Sequence, residues 1–205
     1  MTRSSLPLLR CVVEGLIDQE VARVLAREAG FLQTEFVGTL NGRGNVLKNI
    51  GNYNRSANQI PWLVLVDLDK EKCAPNLMKK YLPHPAKKMC FRVAVHEMEA
   101  WLLADRERFA SFFKLPSDSI PDKPDLLKDP KQEVISLLAS STDRIIKKLM
   151  LPRSGSGRTV GPGYSDKLIE FLVEPSHSWR IREAIKHSPS LNRCFYALQK
   201  LRKQA

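Results

Sequence analysis

A chain of 205 residues, 43% of them hydrophobic, can bury a real core as one large domain or as one domain with a helical extension. Its 33 Lys and Arg against 22 Asp and Glu give a formal charge of +11, which favours a polyanionic partner, nucleic acid ahead of a membrane surface. No stretch approaches the roughly 20 apolar residues of a membrane span, and MTRSSLPLLR lacks the apolar core of a signal peptide. The four cysteines (Cys11, Cys73, Cys90, Cys194) show no C-x-x-C spacing, so reduced, structural thiols in a cytoplasmic chain are expected.

From Leu9 to about Leu115 apolar runs alternate with helical patterns, which predicts β-α-β units and a mainly parallel sheet flanked by helices. LRCVVEG reads as the first strand and its turn, and IDQEVARVLAREAG as an amphipathic helix stopped by Gly30. QTEFVGTL is a second strand, and GRGNVLKNIGNYNRSANQ a helix with a polar end. WLVLVDLD and MCFRVAV are the next strands, and EMEAWLLADRERFASFF continues as one helix. The polar, proline-rich SDSIPDKPDLLKDP marks a boundary, giving an α/β domain over 1–115 and a helical region over 116–205 packed on it. Within that region KQEVISLLASSTDRIIKKLM, SDKLIEFLV and LNRCFYALQKLRK are read as helices, with Ser165 as the cap of the second.

Acids gather at the predicted strand ends. Glu14 follows the first strand, Gly15 permits a tight turn, and Asp18 falls in the first helical turn, where the helix dipole alone would favour it. Asp67 and Asp69 close WLVLVDLD one residue apart, so in extended chain both point to one side. Parallel strands lie about 4.8 Å apart, which lets a glutamate on one strand and aspartates on its neighbour converge. Such hard oxygen ligands suit Mg²⁺ or Mn²⁺. The plainer alternative is that Asp67 and Asp69 cap the helix near Lys72 or pair with Lys70 and Lys72. Glu97 and Glu99 form a third acidic pair. His96-Glu97 lacks the second histidine of H-E-x-x-H, and the other histidines have no ligand spacing, so zinc is not expected. Asp105 reads as a solvated helix residue.

Asn41-Gly42-Arg43-Gly44-Asn45 precedes a helix and could cradle phosphate, although it lacks P-loop spacing and an ordinary turn fits as well. PRSGSGR, with Arg153 and Arg158, reads equally as a basic phosphate-binding loop and as a mobile surface loop.

V-E-G-x-x-D in the first β-α turn, followed by an apolar strand ending in D-x-D, resembles the TOPRIM fold of topoisomerases, primases, recombination proteins and the nucleases of the overcoming-lysogenization-defect group. Glu97-x-Glu99-Ala100-Trp101, Gly161-Pro162-Gly163-Tyr164 and Ser188-Pro189-Ser190-Leu191-Asn192-Arg193 are similar to a bacterial TOPRIM-like family of unknown function, often encoded beside ATPases in defence-type loci. The likeness runs from about residue 10 to 202. It implies Glu14 as metal ligand or general acid/base and Asp18 as a second acid on the metal. It implies Asp67 and Asp69 as the D-x-D ligands, and Glu97 and Glu99 are assigned a second metal position. A basic residue near the scissile phosphate is expected from Arg43, Lys70, Lys72 or Arg158. The function implied is Mg²⁺- or Mn²⁺-dependent phosphodiester hydrolysis of DNA or RNA, with any ATPase a separate chain and a homodimer left open. Two rivals stand beside it: a catalytically silent module that binds nucleic acid or a partner, and a haloacid-dehalogenase-like phosphatase phosphorylated on Asp67.

Overall fold

Alternation of apolar strands and amphipathic helices produces an α/β fold. The structure, a computed structural model, describes residues 7–38, 42–68, 71, 73–95, 97–116, 118–175 and 178–204. Strands β1 (Leu8–Val12), β2 (Gln33–Phe36), β3 (Trp62–Asp67) and β4 (Met89–Ala94) pair in the order β2-β1-β3-β4, all parallel. Helices α1 (Leu16–Glu28), α2 (Gly42–Ser56) and α3 (Ala74–Tyr81) make the crossovers that parallel pairing requires. The first five residues of β3 are buried, as befits a central strand covered on both faces. Val64, Val66, Phe91 and Val93 pack with Val46, Ile50 and Leu77 on the side of α2 and α3. The alternate residues, Leu63, Leu65, Cys11 and Cys90, point to the opposite face. Helix α1 ends at a residue pair closed by Gly30, whose φ of 95° lies in the left-handed region that glycine enters without a Cβ penalty.

The chain separates into two units, Met1–Val95 with Ser190–Ala205, and His96–Pro189. The division therefore differs from a boundary at 115/116: the second unit starts directly after β4, and the chain returns to the first with α10 (Pro189–Arg202). Arg202 Nε donates to the Gly30 carbonyl at 2.9 Å, tying the end of α10 to the end of α1. Cys11, Cys90 and Cys194 are buried free thiols of this unit. Burial pushes the Cys90 thiol up to about 11, so it stays protonated as a small apolar group.

The second unit is helical: α4 (Met98–Leu103), α5 (Arg106–Phe112), a 3-10 turn at Pro124–Leu126, then α6 (Pro130–Ala139), α7 (Arg144–Met150), α8 (Tyr164–Val173) and α9 (Ile181–His187). Phe109, Phe113 and Phe171 meet in its core, with ring centroids 4.6 Å apart for the first pair and 5.5 Å for Phe109 and Phe171. Two long helices of the sequence reading are each broken. The segment after β4 splits at Asp105 into α4 and α5, and KQEVISLLASSTDRIIKKLM splits into α6 and α7, where Asp143 accepts from Ile145 N–H and Ile146 N–H as the cap of the new helix. Ser165 is not the cap of α8; Gly163 holds that place and Tyr164 is already helical. A Cβ on Gly161 would collide with the Leu149 carbonyl and stand 2.6 Å from that of Leu151, so the G-P-G turn requires its first glycine for close backbone approach.

Candidate functional site

The carboxyl edge of the parallel sheet is where the strand ends, and the helix starts that follow them, leave side chains and backbone dipoles facing outward. Strands β1 and β3 are direct neighbours, with Val12 opposite Val64, so the residues that follow them emerge side by side. Glu14 reaches across this gap: the Asp67 backbone N–H donates to Glu14 Oε1 at 2.9 Å. On the other side of Glu14, Gly42 N–H of α2 donates to its carbonyl at 3.4 Å, so one residue joins the ends of β1, β3 and the start of α2. Asp18, 8% exposed, accepts from Gly15 N–H through Oδ2 at 2.8 Å. That bond closes the first turn of α1, which is the capping role an acid at this position can fill. The same bond holds its carboxylate beside the turn that carries Glu14.

Arg43 of α2 belongs to this edge. Its Nη1 donates to the Leu68 carbonyl at 3.3 Å, and Nη2 lies 3.4 Å from Glu71, which Lys80 also approaches at 3.7 Å. Asp69, Lys70 and Lys72 lie outside the described residues, so their expected roles as ligands and phosphate contacts have no structural counterpart. Arg153 and Arg158 are exposed residues of the second unit, in a loop where Gly155 and Gly157 have positive φ.

Glu97 and Glu99 sit in the second unit, and both face the Lys131 ammonium there. Glu97 accepts from the Lys131 backbone N–H at 2.9 Å and from Lys131 Nζ at 3.3 Å. Glu99 is 3% exposed, accepts from the Tyr164 hydroxyl at 3.2 Å and lies 3.7 Å from Lys131 Nζ. Burial holds the Glu99 carboxyl above the ordinary glutamate range, opposed by the Lys131 ammonium and reinforced by Glu97. The E-x-E-A-W and G-P-G-Y motifs thus meet in one hydrogen bond, since Tyr164 is the last residue of the second motif.

Asp105 is not solvated. It is 1% exposed and takes a fork from Arg180, with Nη2 donating to Oδ1 at 2.7 Å and Nε to Oδ2 at 3.1 Å, while the Arg180 backbone N–H donates to Oδ2 at 2.7 Å. Glu107 also accepts from Arg180 Nη2 at 2.8 Å. Hydrogen bonding to Asp105 raises the guanidinium pKa further, so Arg180 keeps its charge. The sequence offers no local signal for it, because the partners are 75 residues apart.

Among the described residues no group of three or more His, Cys, Asp and Glu side chains is disposed to hold a metal ion. In donor chemistry Glu14, Asp18 and Asp67 supply carboxylate oxygens, the kind Mg²⁺ and Mn²⁺ prefer. No helix among the described residues is long and apolar enough to cross a membrane. Comparison with family models, with curated proteins and with solved structures finds no match to this chain.

Proposed function

We propose that the chain is a Mg²⁺- or Mn²⁺-dependent nuclease of TOPRIM type, cutting phosphodiester bonds of DNA or RNA and working with a separately encoded ATPase in a defence setting. The observation that carries the reading is the bond from Asp67 N–H to Glu14 Oε1, which draws two acids of adjoining strands together at the carboxyl edge of the sheet. Glu14, Asp18 and Asp67, with Asp69, are the residues that would hold the ion. Bound there, it would lower the pKa of a water and offset the charge of the phosphate. Arg43, beside Leu68 and Glu71, supplies a guanidinium at the same edge to grip a phosphate oxygen. The excess of basic residues elsewhere gives a polyanion reason to approach an acidic centre.

The test is incubation with plasmid and with structured RNA in Mg²⁺, Mn²⁺ or EDTA, beside Glu14→Ala and Asp67→Ala. Metal-dependent cutting lost in both variants supports the reading, and cutting that persists in both removes the assigned site. No cutting under any metal, with nucleic-acid binding intact, would leave the silent binding module. Hydrolysis of small phosphomonoesters through a phosphoryl group trapped on Asp67 would favour the dehalogenase-like reading.

A further inference from the structure

Strand β4 is an edge of the described sheet, and its outer side is a groove. Its upper part is a cleft of about 790 Å³ with Pro75 and Met78 of α3 on one bank, Asn192, Arg193 and Tyr196 of α10 on the other, and Arg92 in the wall. Its lower part is a second cleft of about 320 Å³, where Lys87, Lys200 and Gln204 join the same Arg92. The shared arginine makes the two clefts one track along β4. Among the described residues four cations line it, Arg92, Arg193, Lys87 and Lys200, and no acidic side chain does. Arg92 is the single charged residue in MCFRVAV, and its Nε is buried with no hydrogen-bond partner. Arg92 Nη1 donates to the Phe91 carbonyl at 2.7 Å, and the positive charge that this guanidinium brings to the wall of the cleft is suited to an anion.

The upper cleft also reaches the end of the strand that pairs with the one carrying Asp67. Asp67 lies opposite Ala94 in the ladder, and Leu68 N–H donates to the Ala94 carbonyl at 3.0 Å, so Val93 and Val95 of the cleft flank the residue paired with Asp67. Adjacent strands are about 4.8 Å apart, which puts the mouth of the groove one strand from the acid.

We propose that this groove holds a single strand of nucleic acid and leads it to the carboxyl edge. The inference rests on the phosphodiester reading above and adds the form of the substrate. Six strand residues span about 20 Å, the length of roughly six nucleotides at the spacing of one duplex strand, which is more than a mononucleotide needs. The cations match the phosphates. Tyr196, 54% exposed, with Met78 and Pro75 opposite, gives the bases apolar and aromatic surface, which a duplex would keep inside its own stack.

Fluorescence anisotropy in EDTA reads binding without cutting. The probes are labelled DNA and RNA single strands of about 12 nucleotides and the matching duplex. Arg193→Glu with Lys200→Glu changes two exposed residues of α10, and Arg144→Glu with Lys148→Glu makes the same charge change on exposed positions of α7. The α10 pair should weaken single-strand binding about tenfold or more and cut the salt slope by about 1.4, while the α7 pair stays within about twofold. Tyr196→Ala should weaken the single strand and leave the duplex unchanged. Preference for one sugar names the nucleic acid and supports the groove in either case. Equal losses from the two pairs, no loss from the α10 pair, or duplex bound as tightly as single strand overturns it. Groove-dependent binding without metal-dependent cutting keeps the groove and removes the nuclease. Cutting lost in Asp67→Ala but indifferent to the α10 pair does the reverse.

Discussion

Glu14 has two separable jobs in the proposed site, and one substitution divides them. Its Oε1 accepts the Asp67 N–H at 2.9 Å, and its charge would serve the metal. Glu14→Gln keeps an oxygen at the position of Oε1, so the bond to Asp67 survives as a neutral one. Hydrogen bonds to charged groups are worth about 1.5–3 kcal/mol and neutral ones about 0.5–1.5 kcal/mol. Glu14 is half-buried, so solvent reduces the difference, and Glu14→Gln should cost about 1 kcal/mol or less. Glu14→Ala removes the acceptor and leaves the Asp67 N–H without it, for about 1.5–3 kcal/mol. Urea denaturation measures both, and cutting of plasmid in Mg²⁺ measures the other job. The expected result is a Gln variant nearly as stable as the parent yet at least about a hundredfold slower, the scale for loss of a group acting on the transition state. Equal destabilisation by Gln and Ala would refute the geometric argument. A Gln variant that cuts at the parent rate would refute the chemical one.

Asp105→Ala should destabilise the chain by about 2–3 kcal/mol in denaturant midpoints, below the 3–5 kcal/mol of a fully buried pair because the Arg180 side chain is 32% exposed and regains water; Asp105→Asn, which keeps an acceptor for the Arg180 N–H, should lose less. Glu99 has its folded pKa raised above the ordinary 4.5, so the folded state holds the proton more tightly and stability falls as pH rises through the raised value. Denaturation followed upward from pH 4.5 should therefore slope downward in the parent and be flatter in Glu99→Gln, and an unchanged slope would count against the buried carboxyl as its source. Gly161→Ala should cost about 1–3 kcal/mol or more through overlap with the Leu149 and Leu151 carbonyls, read as a lower melting temperature, whereas Gly44→Ala, with open space around it, should be nearly silent.

The parallel sheet was legible because β1, β3 and β4 are apolar runs broken by amphipathic helices, and Glu14 and Asp67 were legible because each ends such a run. Helix breaks were not. Phe109 and Phe113 continue the stripe of Trp101, so no periodicity marks the turn at Asp105, and tertiary bonding to Arg180 decides it. Helix α9 gave no pattern to read, since only Ile181 and Ala184 of its seven residues are buried. Lys131 and Tyr164 reach Glu97 and Glu99 over 34 and 65 residues, a distance at which spacing carries no information. Arg92 did carry a signal, a lone charge inside an apolar strand, and the groove is its explanation.

The return of α10 to the first unit also orders events during synthesis. The ribosome releases all of His96–Pro189 before the residues of α10 that cover Cys90 and Cys11 emerge. The helical unit is continuous in sequence and can fold as it appears, while the sheet must wait with only α1 on the face that α10 completes. A nascent chain stalled within α9 therefore exposes an apolar sheet surface, the kind of surface chaperones hold and proteases find. Release of α10 is the step that should turn it protease-resistant.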